Sequence, residues 1–209
     1  PGLVETLSPD IPYWASSPMY GRGNPKSQYE GDSHYWGVWH DAEPFEMYEQ
    51  KVPRFMSEFG FQSYPSLSTL KKYFKKDDLH FDSPVLQTHQ KHSRGNELIK
   101  KYMERDCIVP EDFSQFIYLS QLLQAEGIAK GIEAHRRAMP SCMGSLYWQL
   151  NDCWPVISWS GIDNEGSRKA LHYFAKRYFS PVIISVVEEQ DQLKIFIVND
   201  RNESIPAKL

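Results

Sequence analysis

The sequence predicts an α/β fold of parallel βα units up to about residue 180, followed by an all-β segment. This prediction depends on short β-rich runs in the first 150 residues, a long helical pattern near residue 125, and two further β-rich runs after Pro181. The 209 residues are 41% hydrophobic and 24% charged, which is typical of a globular protein. The aromatic content of 14%, with six Trp and twelve Tyr, exceeds what ordinary packing requires.

Four runs along the first 150 residues have the composition of β-strands. They are residues 12–15, 34–39, 54–61 and 144–150. In the second run, the two-residue periodicity of a strand places His34, Trp36 and His40 on one face. If that face lines a site, it contributes one indole and two imidazoles.

The strongest helical pattern covers residues 112–138. Asp112 and Gln115 have the spacing of a capping box, in which the Asp oxygen accepts a hydrogen bond from a first-turn amide. An apolar stripe follows at helical spacing: Tyr118, Leu122, Ala125, Ala129 and Ile132. Ion pairs four residues apart are expected on another face: Glu126–Lys130 and Glu133–Arg137. Shorter helices are expected to begin after Ser66 and Ser83.

The last part of the chain has the pattern of a β-hairpin. Residues 182–187 and 193–198 are β-rich and are separated by a polar turn. A hairpin alone is marginally stable in water, so we expect it to be the first strands of a β-sandwich domain. The predicted units are therefore residues 1–180 and residues 181–209.

Composition also excludes several classes of protein. The chain has 23 basic and 27 acidic side chains, which argues against a general nucleic-acid binder. No apolar run is long enough for a transmembrane helix. Cys107, Cys142 and Cys153 form no CxxC pair and are expected to be reduced, partly buried thiols. His89 and His92 are expected to face solvent, and we predict neither a metal site nor a cofactor.

One carboxylate stands out from its surroundings. Glu58 lies in the apolar run 54–61 and is followed by Gly60, which permits a tight turn. In a βα framework this places Glu58 at the C-terminal end of a strand, where barrel active sites are built. The competing interpretation is a strand-end glutamate that forms an ion pair with Arg54.

A second run, residues 146–155, combines amide, carboxylate and indole groups. Carbohydrate sites use such groups because the apolar face of a sugar packs on a flat ring while its hydroxyls need fixed polar partners. The competing interpretation is that Trp148 fills a hydrophobic core.

Together these segments resemble the β-mannosidases of glycoside hydrolase family 2. The diagnostic motifs are Tyr13-Trp14-Ala15-Ser16-Ser17-Pro18, Gly31-Asp32 through Trp39, Ser57-Glu58-Phe59-Gly60, Tyr147-Trp148-Gln149-Leu150-Asn151-Asp152 and Ser158-Trp159-Ser160-Gly161. They follow one another over nearly the whole chain, so the resemblance is specific.

The resemblance implies a (β/α)₈ TIM barrel flanked by β-sandwich domains, with this chain holding about strands five to eight. It implies that Glu58 is the catalytic nucleophile of a retaining hydrolase and that Trp148 forms the floor beneath the cleaved sugar. Trp36 and His40 are expected to contact the sugar. Arg54 or a neighbouring imidazole is expected to keep Glu58 ionised.

The family's acid/base glutamate follows an Asn upstream of the nucleophile. In this chain the Asn-Glu pairs all lie downstream of Glu58: Asn96-Glu97, Asn164-Glu165 and Asn202-Glu203. We therefore expect a fragment that lacks the acid/base residue and is inactive when isolated.

The resemblance leads us to expect an oligosaccharide substrate with terminal β-mannose, contacts with the remainder of the parent polypeptide, and a bacterial periplasmic or cytoplasmic location. Neither a nucleic-acid partner nor a membrane is expected. Two other interpretations stay open: another family 2 activity, such as β-galactosidase or β-glucuronidase, and a non-catalytic sugar-binding or structural module.

Overall fold

The computed structural model describes residues 2–206 and residue 208. The α-helices in this part of the chain are α1 (Gly2–Leu7), α2 (Gly37–His40), α3 (Met47–Gln50), α4 (Leu67–Tyr73), α5 (Pro84–Thr88), α6 (Gly95–Asp106), α7 (Phe113–Arg137) and α8 (Ala170–Tyr178), and short 3₁₀ helices cover Pro25–Gln28 and Lys76–Asp78. The strands are β1 (Ser33–His34), β2 (Met56–Glu58), β3 (Val182–Glu189) and β4 (Gln192–Asn199). None of the helices described is long and apolar enough to cross a membrane.

Three parallel segments lie side by side, with β2 in the middle. On one side β1 pairs with β2, and His34 lies opposite Glu58. On the other side Ser145 bridges Met56 in parallel, and the Met56 amide donates to the Gly144 carbonyl at 2.9 Å. Helices α2 and α3 connect the first segment to the second, and α4 to α7 connect the second to the third. The predicted α/β class is confirmed.

The regular strands are shorter than predicted. Residues 12–15 form no strand, and the surrounding segment contains Pro12 and Pro18, which cannot donate ladder hydrogen bonds. The run 54–61 is extended only at Met56–Glu58, and in the run 144–150 Ser145 alone forms a parallel bridge. The strand-like composition therefore predicted where these parallel segments lie, but the regular strands are shorter than the runs with that composition.

The predicted strand at residues 34–39 is wrong beyond His34. The chain turns into helix α2, in which the His40 amide donates to the Trp36 carbonyl at 2.8 Å. Helix α2 begins at Gly37. A Cβ at this position would overlap the end of the Glu43 side chain, so a larger residue would require that carboxylate to move. Trp36 and His40 are nevertheless neighbours, with ring centroids 5.5 Å apart, because they are four residues apart on a helical turn.

Helix α7 begins as predicted, with the Asp112 carboxylate accepting from the Gln115 amide at 2.9 Å. The predicted apolar stripe is only partly right, because Tyr118 is 65% exposed. A wider face is buried, and it includes Phe116, Ile117, Ser120, Gln124, Ile128, Ile132 and His135. The buried surface is broad because α7 packs against several elements at once.

The expected ion pairs within α7 are replaced by pairs with the region of α3. Lys130 donates to Glu46 at 2.6 Å, and Arg137 donates to Glu49 at 2.8 Å. The shorter helices begin as predicted, since the Ser66 hydroxyl accepts from the Thr69 amide at the start of α4. Spacing identified the charged face of α7 but not its tertiary partners.

An aromatic cluster fills the space between β2, α6 and α7. Its fully buried members include Trp39, Phe59, Phe61 and Tyr102, and the Phe61 and Tyr102 ring centroids are 4.7 Å apart. Helix α7 approaches this cluster closely only because it has glycine at the contact. A Cβ at Gly127 would overlap the Phe45 ring.

We expect Gly127→Ala to destabilise the protein. Alanine normally favours a helix by about 1 kcal/mol over glycine, but overpacking a core costs about 1–3 kcal/mol. The net loss should be about 1 kcal/mol, measured by thermal unfolding of the full-length protein. The control is Gly2→Ala in α1, where a Cβ would meet no atom within 4 Å. Equal stability of the two variants would contradict the packing argument.

The predicted hairpin is confirmed. β3 and β4 are antiparallel, and Glu189 pairs with Gln192 across a turn whose residues Gln190 and Asp191 have φ of 50° and 60°. Positive φ at both central residues is typical of a type I′ turn, which matches the twist of paired strands.

Arg136, which is 6% exposed, ties the base of the hairpin to the C-terminal end of α7. Its guanidinium donates to the carbonyls of Tyr178 and Ser180 at 2.5 and 2.7 Å and to the Asp200 carboxylate at 2.7 Å. Its neighbour Arg137 donates to the Ser185 hydroxyl at 2.6 Å. The hairpin is thus held to the helical layer by two consecutive arginines.

Arg136→Ala should loosen the hairpin, because it removes a buried guanidinium that donates to the carbonyls of Tyr178 and Ser180 and to the exposed Asp200 carboxylate. Losing such hydrogen bonds to a charged group costs about 1.5–3 kcal/mol. We expect faster proteolytic cleavage in residues 180–200 of the full-length protein, read by mass spectrometry. The matched control is Arg201→Ala, since Arg201 is exposed and pairs with Glu203 at 3.5 Å. Unchanged cleavage in the Arg136 variant would show that the hairpin is held by other contacts.

Candidate active site

Glu58 is the last residue of β2 and lies at its C-terminal end. Its Oε2 atom is 3.2 Å from Nδ1 of His34 and 3.2 Å from Nε1 of Trp36. The side chain is 26% exposed, so one part of the carboxylate is held while another part is open. Arg54 is exposed and forms no ion pair in the described part of the chain, so the competing interpretation of an Arg54–Glu58 ion pair is wrong. Of the two neighbours expected beside the carboxylate, Arg54 or an imidazole, the structure has the imidazole.

A second carboxylate, Asp32, precedes β1 and accepts four hydrogen bonds. The hydroxyls of Ser17 and Ser57 donate to its Oδ2 atom at 2.5 and 2.6 Å. The Met19 amide and the Trp14 indole donate to its Oδ1 atom at 2.9 and 3.3 Å. Burial alone would raise the pKa of Asp32, but these donors lower it to about 2. Asp32 is therefore a carboxylate at any physiological pH.

Ser17 connects the two carboxylates through His34. Its Oγ atom is 3.2 Å from Nε2 of His34, whose Nδ1 faces Glu58. The segment that carries Ser17 can lie over β1 because Gly31 has φ of 68° and a Cβ there would be 2.6 Å from the Trp14 ring. The result is a continuous chain of polar contacts from Asp32 to Glu58.

Aromatic rings form one wall beside Glu58. The Trp36 ring centroid lies 5.5 Å from that of His40 and 6.1 Å from that of Trp159, and the His40 centroid lies 5.3 Å from that of His92. Burial lowers the pKa of both imidazoles, helped at His40 by the neighbouring His92 and at His92 by Arg94. Both rings are therefore neutral at pH 7, and this wall is uncharged.

The prediction that His89 and His92 face solvent is wrong. His92 is half-buried against Trp39 and Trp159, with ring centroids 5.6 and 6.5 Å away. His89 is also half-buried, and its Nδ1 is 2.5 Å from the Pro155 carbonyl. Nearby basic residues favoured exposure in the sequence, but the aromatic neighbours come from distant segments and leave no local signal.

Trp148 lies at the same end of the parallel segments as Glu58. Its amide donates to the Phe59 carbonyl at 2.8 Å, and its side chain is 43% exposed. Gly60 lies between Trp148 and Trp36. A Cβ at Gly60 would be 2.5 Å from the Trp148 carbonyl oxygen and 3.0 Å from the Trp36 ring, so this close approach needs glycine. Within the described part of the chain, Trp148 is therefore not packed in a hydrophobic core.

No protein-family model matches the chain. Beta-mannosidase B of Aspergillus niger is 35% identical over 201 residues, which are 93% of this chain and 24% of that protein. The beta-mannosidase of Rattus norvegicus is 31% identical over 220 residues, which cover 95% of this chain and 25% of that protein.

The crystal structure of a beta-D-mannosidase from Dictyoglomus thermophilum matches with a TM-score of 0.89 and 39% identity, covering 95% of this chain and 24% of that one. This chain is homologous to β-mannosidases. It spans about a quarter of the length of the relatives it matches. The exo-chitosanase CsxA of Amycolatopsis orientalis, at 20% identity, 80% coverage of this chain, 21% of that chain and a TM-score of 0.62, shows a shared fold.

A buried polar network supports the Trp148–Trp159 region of this β-mannosidase homologue. The Asp152 carboxylate accepts from the Ser158 and Ser160 hydroxyls at 2.8 and 2.5 Å. Lys169 is fully buried and donates to the carbonyls of Ser63 and Ser158 at 3.1 and 3.4 Å. The network joins the segment after β2 to the segment after Trp148 and so fixes their relative positions.

Burial lowers the pKa of Lys169 to about 8, although the charges of Asp152 and Asp163 oppose the shift. The unfolded chain keeps an ordinary lysine pKa near 10.5, so it binds more protons than the folded protein between these values. Folding stability from this group therefore increases with pH through that window.

We expect the unfolding free energy of the wild type to rise relative to Lys169→Met between pH 8 and 10. The gain should be about 1 kcal/mol per pH unit, because one pKa unit corresponds to about 1.4 kcal/mol. Urea unfolding of both proteins at three pH values measures it. A difference that stays constant with pH would contradict the shifted pKa of Lys169.

Among the described residues, no group of three or more His, Cys, Asp or Glu side chains is placed to hold a metal ion. The three cysteines are free thiols, and Cys107 and Cys153 are exposed rather than partly buried.

The residues that sequence reasoning missed are Asp32, His34 as a partner of Glu58, His92 and Trp159. Asp32, His34 and Trp159 lie in segments that match the family's motifs and could have been found there, whereas His92 lies outside them.

Proposed function

We propose that the protein carrying this chain is a retaining glycoside hydrolase of family 2 that releases terminal, non-reducing β-D-mannose, with Glu58 as its nucleophile. The observation that carries this proposal is the position of Glu58, a partly exposed carboxylate at a strand end that is held by two neighbouring donors. Homology to β-mannosidases supports the substrate class.

The contacts of Glu58 suit a nucleophile. The Trp36 indole donates to Oε2 and the His34 imidazole lies 3.2 Å from the same oxygen, which leaves Oε1 free to attack. In the first step, a bond forms between a Glu58 oxygen and the anomeric carbon while the bond to the leaving oxygen breaks. Water then hydrolyses the glycosyl-enzyme ester, so the anomeric configuration is retained.

The acid/base carboxylate is proposed to come from outside these 209 residues. The glutamates of the three Asn-Glu pairs have other partners: Glu97 pairs with Arg94, Glu165 with Lys72, and Glu203 with Arg201. A poor leaving group needs protonation as the bond breaks. We therefore expect the isolated chain to be inactive.

The sugar contacts are proposed to be Trp148 as the floor and Trp36 and His40 as a wall. Their rings are accessible at the end of β2, and the neutral imidazole of His40 can accept or donate a hydrogen bond to a hydroxyl. A mannose can pack its apolar face on an indole ring while its hydroxyl groups hydrogen-bond to other side chains.

The three parallel segments are proposed to be strands six to eight of a (β/α)₈ barrel, with residues 13–18 at the end of the fifth. The parallel order and the TM-score of 0.89 to a β-mannosidase support this assignment. Residues 1–180 would then be barrel, and residues 181–209 would begin a β-sandwich domain.

Glu58→Ala should lower kcat on an aryl β-mannoside by roughly 10³-fold or more in the full-length enzyme, because the nucleophile is removed. Sodium azide should restore turnover by attacking from the vacated side and should yield the α-mannosyl azide, identified by NMR. The control Glu97→Gln changes an exposed surface glutamate and should leave kcat unchanged.

Full activity of Glu58→Ala would remove Glu58 from the mechanism. Turnover of aryl β-galactosides or β-glucuronides in preference to mannosides would show that the substrate is not a mannoside. The assignment of Glu58 as the nucleophile would still stand. No turnover of any glycoside by the wild type would favour the non-catalytic sugar-binding or structural module.

A further inference from the structure

His92 lies in the aromatic wall beside Glu58 and takes no part in the mechanism proposed above. Its ring centroid is 5.3 Å from that of His40, 5.6 Å from that of Trp39 and 6.5 Å from that of Trp159. An imidazole has two nitrogens that can meet a polar group, whereas the indole nitrogens of Trp39 and Trp159 are buried. The partners of the two His92 nitrogens therefore decide what this ring can offer to a ligand.

The first nitrogen of His92, Nδ1, accepts a hydrogen bond from the Arg94 amide at 3.2 Å. A backbone N–H group can only donate, so Nδ1 carries no proton. The ring is therefore neutral, and its single N–H proton is on Nε2. Burial, assisted by the charge of Arg94, lowers the pKa of His92, which agrees with a neutral ring.

The second nitrogen of His92, Nε2, is consequently an N–H donor. No residue in the described part of the chain accepts a hydrogen bond from it, and it is not enclosed by protein as the Trp39 and Trp159 nitrogens are. A half-buried ring thus presents a donor on the surface of the wall. Such a donor suits an uncharged acceptor such as a sugar hydroxyl oxygen.

The backbone around His92 holds the ring in place. The His92 amide donates to the Gln90 side chain at 3.1 Å, and the His92 carbonyl accepts from the Gly95 amide at 2.9 Å at the start of α6. The Lys91 amide donates to the Ile157 carbonyl at 3.1 Å. The loop is therefore tied to α6 and to the chain near Ile157. A donor whose position is fixed before binding loses little conformational entropy when it meets a ligand.

The order of the rings along the wall shows where His92 meets the substrate. Trp36 donates to Glu58 at 3.2 Å and packs on His40, and His92 packs on His40 in turn. Glu58 attacks the anomeric carbon, C1, so His92 lies nearer to the part of the sugar that is remote from C1. In a mannose ring this part is C4, opposite C1, with the C6 hydroxymethyl group beside it.

We propose that His92 is a specificity-determining residue whose Nε2–H group donates a hydrogen bond to the 4- or 6-hydroxyl oxygen of the mannose to be cleaved. This inference rests on the proposed function, because it requires Glu58 to act on a β-mannoside. A site that hydrogen-bonds a hydroxyl discriminates against a sugar that lacks it, since the donor is then left without a partner.

The test compares kcat/KM of the full-length wild type and of His92→Phe on an aryl β-mannoside and on its 4-deoxy and 6-deoxy analogues. Phenylalanine keeps an aromatic ring against Trp39 and Trp159 but has no donor. On the parent mannoside we expect kcat/KM to fall about tenfold, because one hydrogen bond is lost. On the analogue that lacks the contacted hydroxyl, the two enzymes should have equal kcat/KM, because that hydrogen bond is absent in both.

His92→Gln separates the hydrogen bond from the packing of the ring. The glutamine amide nitrogen can reach the place of Nε2, so we expect it to recover most of the activity that His92→Phe loses. His80→Phe is the matched control, since His80 is exposed and lies outside the site, and it should equal the wild type on all three substrates. If His92→Phe does not fold, the wild type alone decides, because its kcat/KM should be about tenfold lower on one deoxy analogue than on the parent.

An equal fall of kcat/KM in His92→Phe on the parent and on both deoxy analogues would show that His92 only supports the wall, and would overturn the inference. A wild type that turns over both deoxy analogues as well as the parent would overturn it too. If the wild type hydrolysed no β-mannoside, or if Glu58→Ala kept full activity, the proposed function would fail and this inference with it. The first two results leave mannoside turnover and its dependence on Glu58 intact, so the two failures are distinguishable.

Discussion

The parallel register between β1 and β2 is the constraint on which the site depends. His34 lies opposite Glu58, so the imidazole of one strand reaches the carboxylate of the next at 3.2 Å. Since side chains alternate along a strand, a slip of one residue would turn either group to the other face. Ser57 and Asp32 reinforce the register with a hydrogen bond of 2.6 Å between the two segments.

The surrounding structure holds this register from two sides. On one side, glycines of α7 let the helix approach the aromatic cluster that includes Phe59 and Phe61, the residues that continue from Glu58. On the other, the buried network of Asp152 and Lys169 fixes the chain after Trp148. The many aromatic residues are thus divided between a buried core and the exposed candidate site. Trp39 is fully buried in the core, whereas Trp148 is exposed at the site.

Local signals predicted much of this arrangement. The capping residues Asp112 and Ser66, the hairpin turn and the strand-end position of Glu58 were all visible in the sequence, because each depends on neighbours a few residues away. The helical turn at α2 was not, since the alternating pattern of residues 34–39 is that of a strand and the neighbours of this turn, such as the Glu43 carboxylate beside Gly37, come from outside it. The inclusion of His92 in the aromatic wall was likewise invisible.

The sequence by itself determined the α/β class, the helix starts, the hairpin, the resemblance to β-mannosidases and the identity of Glu58 as the distinctive carboxylate. Tertiary structure alone decided that His34 rather than Arg54 is its partner, that Asp32 belongs to the same network, and that α7 pairs its cations with α3. The physical reason is that capping and turns follow from short-range hydrogen bonds, whereas these partners are distant in sequence and meet only through packing.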